Sequence, residues 1–364
     1  MLTSLRIQNF RSLRKLSVEG LTRVSLLVGA NNTGKTSVLE AAELVLAGSS
    51  PSVILRSPVR RGELSAHIED GQVTELAEVT HLFSRHSIEN QSSFRIETAE
   101  PDGNYFEGVI GHEPGLLKPS GAILPRGSGP KLINDARFIQ LRSDRFNPVA
   151  YTLLDRALPL YIVSAGTDAL RPGAGVRRVG FIETTSPNSA SIRELWDEVV
   201  LTPEEERVTD VLRIIEPGIE RVAALAGSHG RSDMSIFVRL RDSDQRIPLG
   251  SMGEGIKRLM TLSLNLVNVA GGYLLVDEID TGLHHSVMVK MWRLVTEAAK
   301  RLNVQVLATT HSLDCVRALA ALYEEQQDLR DIISVHRIER NAENNVPYSA
   351  DELLAAARHE MEIR

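Results

Sequence analysis

The chain has 364 residues, of which 42% are hydrophobic and 24% charged, and its formal net charge is −6. These proportions suit a globular protein with a large core, and the negative balance argues against a uniformly basic surface that coats nucleic acid. The length exceeds one typical domain of about 100–200 residues, so we expect one large α/β core with an inserted subdomain.

The single cysteine, Cys315, cannot form a disulfide within the chain. The amino-terminal residues lack the apolar stretch of a secretory signal, and no apolar run approaches the ~20 residues that cross a bilayer. We therefore expect a cytoplasmic protein with no membrane partner. A local basic face formed by Arg56, Arg60 and Arg61 stays open as a surface for DNA.

The first part of the chain predicts a strand, loop and helix unit followed by a small β region. A strand carrying Leu5 to Phe10 precedes a second strand at 24–28, a Gly-rich turn and an apolar helix at 37–46. Between residues 50 and 110, short alternating segments are separated by Pro, Gly and Asp. This pattern predicts a mostly antiparallel sheet.

The middle of the chain mixes loops with short regular segments. Repeated Gly and Pro predict loops at 111–130 and 165–179, and apolar runs predict strands at 158–163 and 181–184. Residues 190–225 have helical periodicity with a break at a Pro-Gly pair. We interpret them as a short helical insertion.

The last third alternates strand and helix, which predicts a parallel sheet flanked by helices. The predicted segments are 235–240, 256–269, 273–276, 286–302, 304–308 and 313–322, and a further strand and helix fill 332–364. The resulting division is a first lobe at 1–185, the helical insertion at 186–230 and a second lobe at 231–364.

A phosphate-binding loop is the clearest chemical motif. It has the pattern G-x-x-x-x-G-K-[ST] and lies between an apolar strand and a helix, as its mechanism requires. Its main-chain N–H groups would wrap phosphates, its lysine would reach the terminal phosphates, and its threonine would ligate Mg²⁺. The residues predicted to bind nucleotide are Gly29, Asn31, Asn32, Thr33, Gly34, Lys35, Thr36 and Ser37.

Two further polar segments follow apolar strands and are expected at the same sheet edge. Asp277 and Glu278 end the strand at 273–276, where Asp277 would hold Mg²⁺ and Glu278 would orient and deprotonate the attacking water. His311 follows the strand at 304–308, and we expect it to sense the γ-phosphate. The alternatives are a solvated acidic turn and a purely structural histidine.

A second glycine-rich segment, Gly250 to Gly255, precedes the helix predicted at 256–269 and offers the hydroxyl of Ser251 beside Gly253 and Glu254. A chain with one complete phosphate loop does not need a second. The simplest interpretation is that this segment meets ATP held by another subunit. The alternative is an ordinary helix cap with flexible glycines.

The order of these motifs resembles the ABC-type ATPase heads of the RecF, structural-maintenance-of-chromosomes and OLD (overcoming lysogenisation defect) group. The resemblance covers most of the chain and rests on SLRIQNFRSL, GANNTGKTS, SMGEGIKRL, LLVDEIDTGLHHS, ATTHS and VPYSADELLAAARHEMEIR. It implies a dimer enclosing two ATP molecules, with Ser251 and Gly253 of one subunit touching the γ-phosphate bound by Lys35 of the other. Asp280 would then lie in a loop that contacts the partner.

The chain departs from the group in three respects. The loop after the predicted strand 181–184 has no convincing glutamine to ligate Mg²⁺, and Gln140 is a poor substitute. The span between the phosphate loop and the serine-glycine segment is too short for a long coiled coil. The residues after His311 are too few for an added nuclease module of about 100 residues, so we expect no DNA cleavage by this chain alone.

The resulting hypothesis is an ATP-binding, ATP-hydrolysing enzyme with ATP and Mg²⁺ as cofactors. It would act as a homodimer or a larger even-numbered homo-oligomer and regulate a separate effector protein, a nuclease or toxin, in antiviral defence. The first alternative is a RecF-like DNA-binding ATPase in DNA repair. A second is a scaffold that uses ATP only as structural glue. A hexameric AAA+ ring is disfavoured, because such a ring requires an arginine finger after the acidic strand and a helical lid, and the sequence has a serine-glycine segment instead.

Overall fold

A computed structural model of the chain describes residues 1–48, 50–69, 72–89, 91–99, 103–111, 137–154, 156–160, 177–185, 187–226 and 234–359. Nearly all of the predicted loop at 111–130 and most of that at 165–179 lie outside these residues. Among the described helices, none has the length and apolar composition that crossing a bilayer requires.

A six-stranded sheet forms the centre of the nucleotide-loop half of the molecule. Its first five strands run parallel, and the last pairs antiparallel. In spatial order they are β11 (Val179–Ile182), β15 (Tyr273–Val276), β16 (Gln305–Thr310), β3 (Val24–Val28), β17 (Ile333–Arg337) and β18 (Val346–Tyr348). The carboxyl ends of the parallel strands therefore share one edge, where ligands collect in such sheets.

Both faces of this sheet are covered. Along β3, Leu26 belongs to one core cluster and the next residue, Leu27, to the other, as the two-residue period of a strand requires. Helix α1 (Lys35–Leu46) packs on the side of Leu27. On the side of Leu26 lie α5 (Glu254–Asn268), α6 (His285–Arg301) and α7 (Leu313–Glu325).

A second sheet of six antiparallel strands closes over α1. Its order is β2 (Leu13–Glu19), β1 (Ser4–Phe10), β6 (Ser93–Thr98), β7 (Tyr105–Gly111), β8 (Phe138–Ser143) and β9 (Val149–Thr152). Three further strands pair as β10 (Ala157–Pro159), β5 (Gln72–Glu78) and β4 (Leu64–Glu69), beside the short helix α2 (Arg56–Arg60). Residues 93–98, within the region predicted as a mostly antiparallel sheet, form a strand, whereas the strand predicted at 158–163 is described only as far as Pro159.

The segment predicted as a helical insertion is only partly helical. It contains α3 (Ser189–Asp197) and α4 (Glu204–Leu212), but residues 219–226 form a strand. This strand, β12 (Ile219–Ala226), pairs antiparallel with β13 (Met234–Leu240), which pairs with β14 (Arg246–Pro248). The alanines there favour a helix locally, but pairing with the apolar β13 overrides that preference.

The carboxyl-terminal part adds little beyond what was expected. After β17 and the three-residue strand β18, helix α8 (Ala350–Arg358) begins at a capping box formed by Ser349 and Glu352. The strand predicted at 273–276 has the predicted bounds.

Candidate functional site

The phosphate loop joins β3 to α1 and has a shape that only glycine permits at two positions. Gly29 and Gly34 have φ angles of 150° and 100°. A Cβ atom on Gly29 would lie 2.5 Å from the carbonyl oxygen of Ile338, and one on Gly34 would lie 2.7 Å from the side chain of Leu13. At these two positions the loop is therefore packed too closely against the remainder of the protein to accept a residue other than glycine.

The other loop residues differ in exposure. Asn31 and Asn32 are exposed, and the hydroxyl of Thr33 donates a hydrogen bond to the carbonyl of Ala30 at 3.1 Å. Ser37, in the first turn of α1, is buried. The loop therefore presents its tip to solvent while its base is fixed.

Lys35 lies folded over the loop. Its Nζ donates hydrogen bonds to the carbonyls of Gly29 and Ala30, both at 2.8 Å. Burial lowers the pKa of Lys35 below its ordinary value, against the opposing influence of the carboxylates of Glu278 and Asp277. The ammonium group thus stands where incoming phosphate oxygens could replace two neutral carbonyl acceptors.

Asp277 gathers three hydroxyl groups from separate elements. Thr36 donates to its two carboxylate oxygens at 3.0 and 3.1 Å, Thr309 donates at 2.7 Å, and Thr184 donates at 3.2 Å. These residues come from the start of α1, the end of β16 and the loop after β11. The structure therefore joins the two motifs predicted to share Mg²⁺, which lie far apart in sequence.

The donor set at Asp277 fits Mg²⁺. A carboxylate and hydroxyl oxygens are hard ligands of the kind this ion prefers, and it keeps several waters in such sites. Thr36 and Asp277 would hold the ion. Thr184 occupies the loop where a glutamine was sought, while Gln140 lies on β8 in the other sheet and accepts from Arg142.

Glu278 and His311 face each other at the same edge. Nδ1 of His311 lies 2.9 Å from Oε1 of Glu278. Glu278 has a φ of 46°, and its main-chain N–H donates to the hydroxyl of Thr309 at 2.8 Å. Beyond it, Asp280 accepts a hydrogen bond of 2.6 Å from Thr310. The turn is thus held by threonines from β16.

Arg258, to which the sequence motifs assign no role, holds the main chain of this acidic turn by hydrogen bonds. It is almost fully buried in α5, and its guanidinium donates to the main-chain carbonyls of Glu183 (2.6 Å), Asp277 (2.7 Å), Glu278 (2.6 Å) and Ile279 (3.5 Å). Burial lowers its pKa to about 10. Its position four residues before a buried leucine was the available signal, because that spacing places it on the core face of the helix.

The serine-glycine segment 250–255 leads into α5 and is largely exposed to solvent. Gly253 caps the helix with a φ of 96°, and a Cβ atom there would meet nothing within 4 Å. Ser251 and Glu254 are exposed, and Lys257 donates to Glu254 at 2.6 Å. No described contact joins Ser251 or Gly253 to the phosphate loop of the same chain.

The three arginines after α1 do not form a free basic face. Arg60 and Arg56 both pair with the buried Glu43, and Arg61 donates to the buried Glu40 at 2.7 and 3.1 Å. Their charge is largely used to compensate the carboxylates of α1.

A pocket of about 530 Å³ adjoins the phosphate loop and was not anticipated from the sequence. Asn32 and Thr33 form one side, and Arg14, Lys15 and Arg340 contribute to its lining. Glu339 and Glu343 also line it, and Lys15 pairs with Glu343, so the charge of the lining is mixed. Its position beside the phosphate cradle suits a nucleoside.

Two known proteins are similar to the chain over most of its length. The chain is 22% identical to an OLD nuclease from Thermus scotoductus, over 95% of this chain but only 66% of that relative. It is 20% identical to an ATP/GTP phosphatase from Helicobacter pylori, over 90% of this chain and 89% of the relative. These relatives bear out the resemblance to the OLD group.

The fold has a counterpart among solved structures. An SMC head crystallised with the C-terminal winged-helix domain of ScpA aligns with a TM-score of 0.50 and 13% identity, covering 96% of this chain and 99% of that one. This likeness shows a shared fold. The family model of the AAA ATPase domain matches residues 1–139 and 183–316, most of the chain, and the protein therefore belongs to this family.

Proposed function

We propose that the protein binds ATP with Mg²⁺, hydrolyses it, and encloses it between two copies of the chain. The observation that carries this proposal is the contact of Thr36 with Asp277, which unites the phosphate loop and the acidic strand end. Glu278 and His311 stand beside that contact.

Each group has a distinct task in this proposal. Lys35 exchanges its carbonyl partners for phosphate oxygens, and Thr36 and Asp277 hold the metal ion. Bound Mg²⁺ supplies charge neutralisation for the phosphates. The pocket beside the loop accepts the nucleoside.

Glu278 acts as the general base. Its carboxylate accepts a proton from the attacking water, and His311 fixes the orientation of that carboxylate. The close approach of His311 to Oε1 supports this positioning role beside the γ-phosphate sensing expected from the sequence. Arg258 holds the main chain on both sides of the base.

The open segment 250–255 supports a dimer. A glycine-started helix with an exposed serine suits an anion, yet the phosphate loop of the same chain is complete without it. We propose that Ser251 and Gly253 bind the γ-phosphate held by the second copy. The defence role, with a nuclease or toxin as regulated effector in the cytoplasm, rests on the resemblance to the OLD group.

The test combines hydrolysis with oligomeric state. Purified protein should release phosphate from ATP and sediment as a dimer with ATP and Mg²⁺. Lys35→Ala should abolish both, and Glu324→Gln, on the exposed face of α7, should change neither. Phosphate release by Lys35→Ala at the wild-type rate would exclude this site as the origin of hydrolysis.

The effector proposal needs a cellular test. Phage plating should fall when the chain is expressed with the products of its neighbouring genes, and Lys35→Ala should restore plating. ATP-stimulated, salt-sensitive DNA binding without any effect on phage would favour the DNA-repair alternative instead.

A further inference from the structure

A second cavity has a volume of about 690 Å³. It is bounded by the loop after β11, by α3 and by α5. We call it the acidic cavity, because the charged residues among its described lining are Glu183, Glu194 and Glu198. A volume of this size is typical of a ligand site and exceeds the space that one side chain fills.

No lysine or arginine of the described part of the chain forms an ion pair with any of these three glutamates. Arg193, the arginine on α3, pairs with Asp197 at 3.0 Å. Within the described ranges, the lysines and arginines form their ion pairs with other carboxylates. Three unpaired carboxylates around one concave surface create a negative potential that favours a cation.

The amide groups of the lining also leave acceptors free. Asn265 donates its side-chain N–H to the carbonyl of Thr261 at 2.9 Å, and Asn268 donates to the carbonyl of Leu195 at 3.5 Å. The side-chain oxygens of these asparagines therefore remain as acceptors. A complementary ligand must donate hydrogen bonds, and guanidinium and ammonium groups donate without accepting.

One buried hydroxyl in the lining is unsatisfied. Thr261, on α5, is 2% exposed, and its Oγ1 has no hydrogen-bond partner in the described structure. A buried hydroxyl without a partner is destabilising, because it has lost its hydrogen bonds to water. A bound ligand that reaches it would remove this destabilisation.

The acidic cavity adjoins the nucleotide site. Glu183 and Thr185, which line it, flank Thr184, whose hydroxyl donates to Asp277. The carbonyl of Glu183 accepts from Arg258. A ligand in the cavity would therefore act directly on the loop that contacts the Mg²⁺ ligand.

We propose that the acidic cavity binds arginine or lysine side chains carried by a segment of a partner protein. Carboxylates on two separate elements suit several cations presented together, and the apolar side chains of Phe181 and Leu195 suit the aliphatic stems of those residues. Nucleic acid is unsuited, because its phosphates would face three carboxylates. The choice of a protein as occupant rests on the proposed regulation of an effector, but not on hydrolysis.

The test is a binding titration without nucleotide. A fluorescent eight-residue peptide of alternating arginine and alanine should bind, as measured by anisotropy. Glu194→Gln combined with Glu198→Gln should weaken binding about tenfold, because two charge-assisted contacts are lost. Glu324→Gln with Glu325→Gln removes the same charge from α7 and should change the affinity less than twofold.

Other outcomes decide the question equally. Equal weakening by both double variants would mean attraction to overall charge and would overturn the proposal, as would no binding by the wild type. Displacement of the peptide by spermidine at equal concentration would assign the cavity to a free polyamine and overturn the protein occupant. Thr261→Val, which keeps every charge, should weaken the peptide about threefold and tests the site even if the double variant does not fold.

These results are separable from the proposed ATPase function. Selective peptide binding by a chain that releases no phosphate would leave the cavity assigned and remove hydrolysis. The opposite result is also possible: the chain releases phosphate but binds the peptide no better than the Glu194→Gln, Glu198→Gln variant. That result would support hydrolysis and remove the assignment of the cavity.

Discussion

The molecule contains two glycine-started helices of opposite character. At α1, Gly29 and Gly34 pack closely against Ile338 and Leu13. The lysine and threonine that follow are hydrogen-bonded within the chain. At α5, the capping Gly253 has open space around it and Ser251 is exposed. The same local device is complete in one place and open in the other. This difference fits the proposal that the second helix binds a phosphate held by another copy of the chain.

The largest expected effect concerns the complete site. Glu278→Gln should slow phosphate release about 100- to 1,000-fold, because the amide cannot accept the proton from water. ATP should still bind, and the ATP-bound dimer should persist in size-exclusion chromatography. Unchanged turnover would show that Glu278 is not the base, and loss of ATP binding would show a structural defect instead.

Arg258 connects the two helices' sites, since it belongs to α5 and binds the carbonyls of the acidic turn. Arg258→Ala should lower the free energy of unfolding by about 3 kcal/mol, because buried carbonyls lose their donors. Chemical denaturation measures this loss. Arg258→Lys keeps the positive charge but lacks the several N–H donors of a guanidinium. Its free energy of unfolding should lie between those of the wild type and Arg258→Ala. A wild-type unfolding midpoint for the alanine variant would contradict the assigned contacts.

Mixing variants tests whether the open helix serves a second chain. Ser251→Arg and Lys35→Ala should each be inactive alone. Mixed in equal amounts, they should regain activity, up to about half of the wild-type rate, because a dimer of one variant with the other carries one intact site of two. If mixed dimers form but the mixture stays inactive, the segment 250–255 is only a helix cap. The proposal that it binds phosphate held by a second chain would then be wrong.

The smallest effect is expected at Thr184. Thr184→Val removes one of the three hydroxyls on Asp277 and should raise the Mg²⁺ concentration for half-maximal phosphate release about fivefold, which corresponds to one hydrogen bond of about 1 kcal/mol. Thr185→Val, at the neighbouring exposed position, is the matched control. Equal shifts in both variants would remove Thr184 from the metal site.

The sequence was most informative where one chemical task imposes one pattern. The phosphate loop and the acidic strand end were identified because anion binding requires glycines, a lysine and a helix start in fixed order. The strand at 273–276 was equally clear, since it is a short apolar run buried on both faces.

The missed features depend on distant partners. Nothing adjacent to Thr184 in sequence indicates that its hydroxyl reaches Asp277, and Arg258 resembles any charged residue until α5 is packed. The strand at 219–226 was predicted as helix because its alanines favour helix, and only the pairing with β13 decides otherwise. The acidic cavity likewise arises from elements that are neighbours only after folding.

The close packing of Gly29 against Ile338 has a consequence for the order of assembly. Strand β3 obtains its parallel neighbours from β16 and β17, which are synthesised roughly three hundred residues after it. Contacts between such distant segments form slowly, because a long chain must be closed before they yield any stabilisation. An amino-terminal fragment still on the ribosome would contain the whole phosphate loop. It would lack β16, β17 and Ile338, against which the loop and β3 pack. We therefore expect the phosphate loop to reach its final shape only after β16 and β17 have been synthesised.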